Sequence, residues 1–256
     1  MNTVSFVIPL ISKFVANDWE LTSRLCLRTL RSLLNQSDPN WSAVVIGDEI
    51  PLFWPHDPRI TFISEALPIP STSAEKHLDQ KLKVKRGMIE LRKTPPQFAM
   101  RLDADDLVSN RLVEYAGAHS ISNGWIISRG WIYPEGSDIF IYRWNLHMRC
   151  ASTHIVRLHD EDFPTSMDTV DSEWLADFWQ HQKLANSLIQ IDRRLDYLRW
   201  PGVVYVVGHA ASLMGQGQFH GPSIKERIWR RAFTRRLDER KRREFSVVPL
   251  GSITIE

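Results

Sequence analysis

The stretch Gln97-Phe98-Ala99-Met100-Arg101-Leu102-Asp103-Ala104-Asp105-Asp106 decides how this chain is read. Thr94-Pro95-Pro96 stops whatever helix precedes it, and Gln97–Leu102 has the length and apolar content of a buried strand. That strand ends on three carboxylates within four positions. Aspartates so close repel one another, and they cost stability unless a cation or a row of hydrogen-bond donors neutralises them. Hard divalent cations such as Mg2+ or Mn2+ prefer carboxylate oxygens and bind through one or two of them plus substrate phosphates. A lone D-x-D is as often a solvated turn. Here the cluster follows an apolar strand, and open α/β sheets take their ligands beyond the carboxyl ends of their strands.

Working toward the N-terminus, Val4–Leu10 reads as a buried first strand. Asn17 and Glu20 fit a capping box, and Leu21, Leu25, Cys26, Leu30, Leu33 and Leu34 then recur at helical spacing, with Arg24, Arg28 and Arg31 on the wet side. Trp41–Ile46 predicts a second strand ending at Gly47-Asp48-Glu49, and Arg59–Ser64 a third. Residues 65–80 read as a loop, followed by a basic helix from Leu78 to Lys93. This order predicts an α/β fold on a mostly parallel sheet with right-handed crossovers. It places Asp48 and the Asp103 cluster together at strand ends. Farther on, the pattern predicts a helix over Asn110–Ala118 and strands over 124–132, 138–144 and 150–157. A helix over Asp171–Asn186 follows, then a last strand, Val203–Val207, ending at Gly208-His209. The economical organisation is one domain, 1–222, with halves 1–110 and 111–222, plus a basic tail over 223–256.

Composition narrows the function classes. Of 256 residues, 43% are apolar, enough for a substantial core, and the two cysteines supply no disulfide framework or metal-ligand spacing. No leader or spanning run is visible, so the expected location is the cytoplasm. The net charge of +2 divides into +6 over residues 225–244 and −4 elsewhere, an acidic body that argues against nucleic acid as partner. Within the tail Ile228, Trp229, Phe233 and Leu237 recur at helical spacing among arginines. Such a helix would either dock on the domain or lie on the anionic inner face of a membrane.

In these pieces the chain resembles the GT-A glycosyltransferases, especially the family 2-like group. The matching residues are Phe6-Val7-Ile8-Pro9-Leu10, Ser32-Leu33-Leu34-Asn35-Gln36, Val45-Ile46-Gly47-Asp48-Glu49, Lys85-Arg86-Gly87 and Arg101-Leu102-Asp103-Ala104-Asp105-Asp106, over about the first 110 residues. A looser likeness reaches Val206-Val207-Gly208-His209, which is similar to the late histidine of rhamnosyltransferase-like members. The resemblance implies a Rossmann-like mixed sheet flanked by helices. It implies transfer of a sugar, with inversion, from a nucleotide-diphosphate sugar to a glycan or lipid-linked acceptor, assisted by Mn2+ or Mg2+. By the same likeness the backbone around Pro9-Leu10-Ile11 lines the nucleotide pocket and Asp48 meets the base or ribose. Arg86, Asp103, Ala104 and Asp106 lie about the nucleotide sugar. Asp105, with Asp103 and His209, holds the metal. His220, in the loop Gly217–Gly221, is a weaker competitor for the histidine role. Relatives often carry two aspartates and Gly-Ser after the second strand, where this chain has Gly47-Asp48-Glu49-Ile50, which leaves the base open.

Inverting transfer needs a group that takes the acceptor hydroxyl proton. Asp171 and Asp168 are the candidates, with Glu173 next and the run His159-Asp160-Glu161-Asp162 nearby. Asp171 equally suits an N-cap. Trp125, Trp131 and Trp144 fall in the acceptor half, where they would stack on sugar rings or simply pack. Two competing classes stay open. One is nucleotidyl transfer, against which the 10–18 segment lacks a glycine-rich basic loop. The other is a non-catalytic module that binds a partner or membrane through its tail.

Overall fold

A computed structural model describes residues 2–171, 173–178, 183–209 and 231–253. The strands are β1 (Val4–Pro9), β2 (Trp41–Gly47), β3 (Ile60–Ser64), β4 (Phe98–Arg101), β5 (Leu107–Val108), β6 (Gly124–Ile126), β7 (Gly130–Pro134), β8 (Ile139–Arg143), β9 (His154–Arg157), β10 (Asp196–Tyr197), β11 (Val203–Val207) and β12 (Thr234–Arg236). The helices among the described residues are α1 (Trp19–Leu34), α2 (Ser73–Leu91), α3 (Leu112–Ala118), α4 (Glu173–Asp177), α5 (Leu184–Gln190) and α6 (Glu239–Phe245). One sheet has the order β10-β6-β9-β4-β1-β2-β3, and β3, β2, β1 and β4 run parallel, as the element order requires. The second sheet has the order β12-β8-β7-β11-β5.

Every residue of β1 is buried because the first sheet is covered on both faces. On one face Phe6 and Ile8 share a core with Cys26, Leu30 and Leu33 of α1 and with Val203 and Val207 of β11. On the other, Val7 and Ile46 pack with Val84 and Met88 of α2 and Trp174 and Leu188 of α4 and α5. Gly87 sets the spacing on that side. A Cβ added there would lie 2.5 Å from Val7 Cγ1 and 2.9 Å from Ile46 Cδ1, so only glycine lets α2 lie this close to the sheet.

Several local expectations need correcting. Asp18, not Asn17, caps α1, its carboxylate accepting from the Leu21 N–H at 2.9 Å. Arg28 is not on a wet face. It has no exposed surface, pairs with Glu135 at 2.5 Å and donates to the Val248 carbonyl, because the second sheet and the chain after α6 cover that side of α1. α2 begins at Ser73, inside the segment read as a loop, with a capping box formed by Thr72 and Glu75. The expected strand over 124–132 divides between the two sheets as β6 and β7, and the expected helix over Asp171–Asn186 divides into α4 and α5.

The tail is likewise not one amphipathic helix. Residues 231–233 are helical, but Thr234–Arg236 form an edge strand on β8. Leu237, Phe245 and Val247 then bury themselves against Tyr133 and Phe140. Asp238 caps α6 and Ser246, at φ 53, ends it. Ile228 and Trp229 lie outside the described residues, as does His220. No described helix is long and apolar enough to cross a membrane. Gly87→Ala is expected to lower stability by about 1–3 kcal/mol through overpacking against β1 and β2, read as a shift in the urea midpoint with unchanged slope.

Candidate functional site

β4 hands the chain to the carboxylate turn while still in register with β1, the Leu102 N–H donating to Val7 O at 3.0 Å. The Asp106 N–H then returns to Asp103 O at 3.1 Å and closes the turn. Asp106 is fully buried beneath it. One of its oxygens accepts from the Ser152 hydroxyl at 2.6 Å and the Cys150 thiol at 3.2 Å, and the other accepts from the Val206 N–H of β11 at 3.2 Å. Ser152 also accepts from the Asp103 N–H at 2.9 Å. Burial, and then the charges of Asp105 and Asp103, push the Asp106 carboxyl well above the usual carboxylate range. Asp106 was expected to touch the donor sugar or to support the site from behind. With no surface and both oxygens engaged, it ties the turn to β11.

That tie brings the ends of β4 and β11 together. Gly208, at φ 84, turns the chain after β11, and His209 follows, 4% exposed. Its Nε2 lies 3.0 Å from Asp105 Oδ2 without hydrogen-bond alignment, and among the described residues neither ring nitrogen has a hydrogen-bond partner. Asp105 keeps 29% of its side chain exposed. Asp103 is drawn the other way, to the buried guanidinium of Arg101 at 2.7 Å. Ala104 between them packs partly on the core. The wall around Asp105 includes Cys26, whose thiol is pushed up to about 12 by burial and then by the Asp105 charge. It also includes Tyr205, whose phenol is raised by burial and by Asp106, Cys150, Asp105 and Asp103. Among the described residues no three His, Cys, Asp or Glu side chains gather as a complete metal shell. Asp105 and His209 meet; Asp103 does not join them.

Asp48 lies at the end of β2, on the far side of β1. Its carboxylate accepts from the Ser12 hydroxyl at 3.0 Å and the Lys13 N–H at 3.2 Å, so the loop after β1 folds onto it. Pro9 and Leu10, expected to line the pocket with their backbone, are buried, and the Leu10 N–H is taken by Ile46 O at 2.8 Å. The Leu10 carbonyl is taken as well, by the Lys83 ammonium at 2.8 Å, which also pairs with Asp79 at 2.8 Å. The segment presented beside Asp48 is therefore 11–14, one step beyond Pro9 and Leu10. Lys83 and Asp79 were missed, although the spacing Asp79, Lys83, Gly87 puts both on the sheet-facing side of α2. Arg86 pairs with Glu65 at 3.1 Å and Glu90 at 3.4 Å, committing it to the helix and to the chain after β3.

Asp171 stands beside α2, with Lys85 at 2.9 Å and Lys81 at 3.8 Å, and Lys85 also donates to Thr169 O. Asp168, on the same segment, is exposed. Asp162 is buried and accepts from Trp174 Nε1 at 3.0 Å and Arg193 at 2.8 Å, a structural arrangement. Trp125 is core, 5.1 Å from Phe98, and Trp131 stacks on Phe140 at 5.5 Å, whereas Trp144 is 51% exposed.

Compared with known protein families and with curated proteins, the sequence matches none. Among solved structures, residues 1–349 of TarS from S. aureus are similar over 80% of this chain, at 14% identity and a TM-score of 0.45, and this chain spans 60% of that one. A candidate nucleotide-diphospho-sugar transferase from Desulfovibrio desulfuricans G20 is similar over 91% of this chain and 99% of its own, at 10% identity and a TM-score of 0.41.

Asp106→Ala leaves the Val206 N–H and the Ser152 hydroxyl without their acceptor. It is expected to cost at least about 2 kcal/mol in urea unfolding. Asp106→Asn, which keeps the acceptor for Val206, is expected to cost less.

Proposed function

We propose that this chain is a metal-assisted glycosyltransferase of the GT-A type, moving a sugar from a nucleotide-diphosphate sugar to a glycan or lipid-linked acceptor with inversion. The observation that carries the reading is His209. It is a buried imidazole, both nitrogens unbonded among the described residues, set 3.0 Å from the partly exposed carboxylate of Asp105 where two strand ends converge. A buried polar group without a partner costs free energy unless a ligand supplies one. Neutral imidazole and carboxylate together suit Mn2+ or Mg2+, which complete their shells with substrate phosphates.

Asp105 and His209 would hold the ion, which when bound offsets charge on a departing diphosphate. Asp103, paired with Arg101, would offer its carboxylate to the ribose or to a second-sphere contact. Asp48, its carboxylate oriented by Ser12 and Lys13, offers acceptors to a ribose or to a base N–H. Cys26 and Tyr205 stay protonated and bound the carboxylate pocket without adding charge. For removal of the acceptor proton, Asp171 is committed to Lys85 and Lys81, which favours Asp168 among the two candidates. The location, cytoplasmic or peripheral on a membrane, follows the acceptor.

The test is thermal stabilisation by UDP, GDP, dTDP and CDP, each with and without Mn2+. A ligand at about 100 times its Kd adds roughly 2.7 kcal/mol to stability. Wild type is expected to respond to one nucleotide in a metal-dependent way, and Asp105→Asn and His209→Ala are each expected to lose the metal-dependent part. Silence of the wild type toward all four would overturn the donor-site reading.

A further inference from the structure

The loop after β1 is held at two points, and one of them lies inside the protein. Ser12 and Lys13 tie it to Asp48 from above. Lys83, 1% exposed, holds its root from below by donating to the Leu10 carbonyl, and its remaining partner is Asp79, itself 9% exposed. An ion pair this deep is poor stabilisation for its own sake, because desolvating both charges offsets most of their attraction. A leucine and a methionine at these positions would extend the buried apolar face that Val84, Met88 and Leu91 of α2 already present. What an apolar pair would not do is bond the Leu10 carbonyl. With its N–H on Ile46 O, Leu10 has both of its backbone polar groups held, and this sets the direction in which residues 11–14 leave the sheet.

We infer that Lys83, seated on Asp79, is a positioning residue of the donor pocket: it presets the 11–14 loop, and through Ser12 the Asp48 carboxylate, so that the nucleoside end of the donor meets an ordered surface. This rests on the donor-site reading above. A preset loop spares the ligand the entropy of ordering it, and that saving appears as affinity. Asp79 keeps the ammonium aimed at the Leu10 carbonyl, the residue from which the loop departs.

The experiment measures, on the full chain, the Kd of whichever of UDP, GDP, dTDP or CDP stabilises the wild type, with Mn2+ present. Alongside it, amide exchange of peptides covering 10–16 reports on the loop without any ligand. Lys83→Met/Asp79→Leu removes the pair without leaving a lone charge. It is expected to keep a urea midpoint close to wild type, weaken the nucleotide about tenfold or more, and speed exchange at 11–14 while β11 stays protected. Leu188→Ala, a core truncation in α5, is expected to lower the midpoint yet leave Kd unchanged, so destabilisation alone does not mimic the effect. Should the double variant fail to fold, Ser12→Ala loosens the same loop from its other anchor and is expected to weaken binding in the same direction. A double variant that binds as tightly as wild type, or whose 11–14 exchange is unchanged, overturns the inference. A wild type that binds no nucleotide sinks the donor-site reading instead, and the exchange comparison still reports separately whether the pair orders the loop.

Discussion

Asp106 has no exposed surface, yet three separate parts of the chain meet on it: its own turn after β4, the 150–152 segment before β9, and β11. An apolar interface alone between the two sheets would tolerate sliding. A carboxyl in an apolar interior does not, because each donor aimed at it would be stranded by a shift of an ångström. The position of the carboxylate turn relative to the end of β11 follows from this one side chain, and with it the meeting of Asp105 and His209. Burial, and then the charges of Asp105 and Asp103, raise the Asp106 carboxyl well above the usual carboxylate range.

The second constraint is closeness. Gly87 lets α2 lie against β1 and β2, and only at that distance does the Lys83 ammonium reach the Leu10 carbonyl. α1, on the opposite face, is equally enclosed, and Arg28 within it joins Glu135 to the chain near Val248. Buried ion pairs on both sides of one sheet are costly unless geometry holds them well. The Arg28–Glu135 pair joins α1 to the chain after β7, whereas Lys83 and Asp79 lie one turn apart on α2 and reach another element through the Leu10 carbonyl. The second sheet is built differently: β7 and β8 carry the aromatic residues Trp131, Phe140 and Tyr142, packed ring on ring, and lend rigidity more than charge.

Much of this architecture was legible in the residue pattern. β1, β2, β3 and β4 were read nearly at their true bounds, because strands buried on both faces are continuous apolar runs with turn residues at each end. Asp48, Asp103 and Asp105 were legible for a related reason: a charge directly after such a run stands at the sheet's edge. The 124–132 run and the 171–186 helix were misread because apolar content does not say which sheet a strand joins, or whether one apolar stretch is one helix or two packed on the same core. The Thr72-Ser73-Ala74-Glu75 capping box was present in plain sequence but hidden by the prolines and serines before it.

By itself the sequence determined the order of elements, the parallel half of the sheet and the strand ends on which carboxylates fall, since these depend on periodicity and neighbours along the chain. Only the tertiary structure decided that Asp106 is buried while Asp105 faces outward, that His209 reaches Asp105 at 3.0 Å, that Asp171 is taken up by Lys85, and that a lysine on α2 lies under the loop after β1. Adjacent aspartates are chemically identical until something packs against one of them. A lysine looks solvent-bound in any helix until a glycine four residues on draws its face onto a sheet.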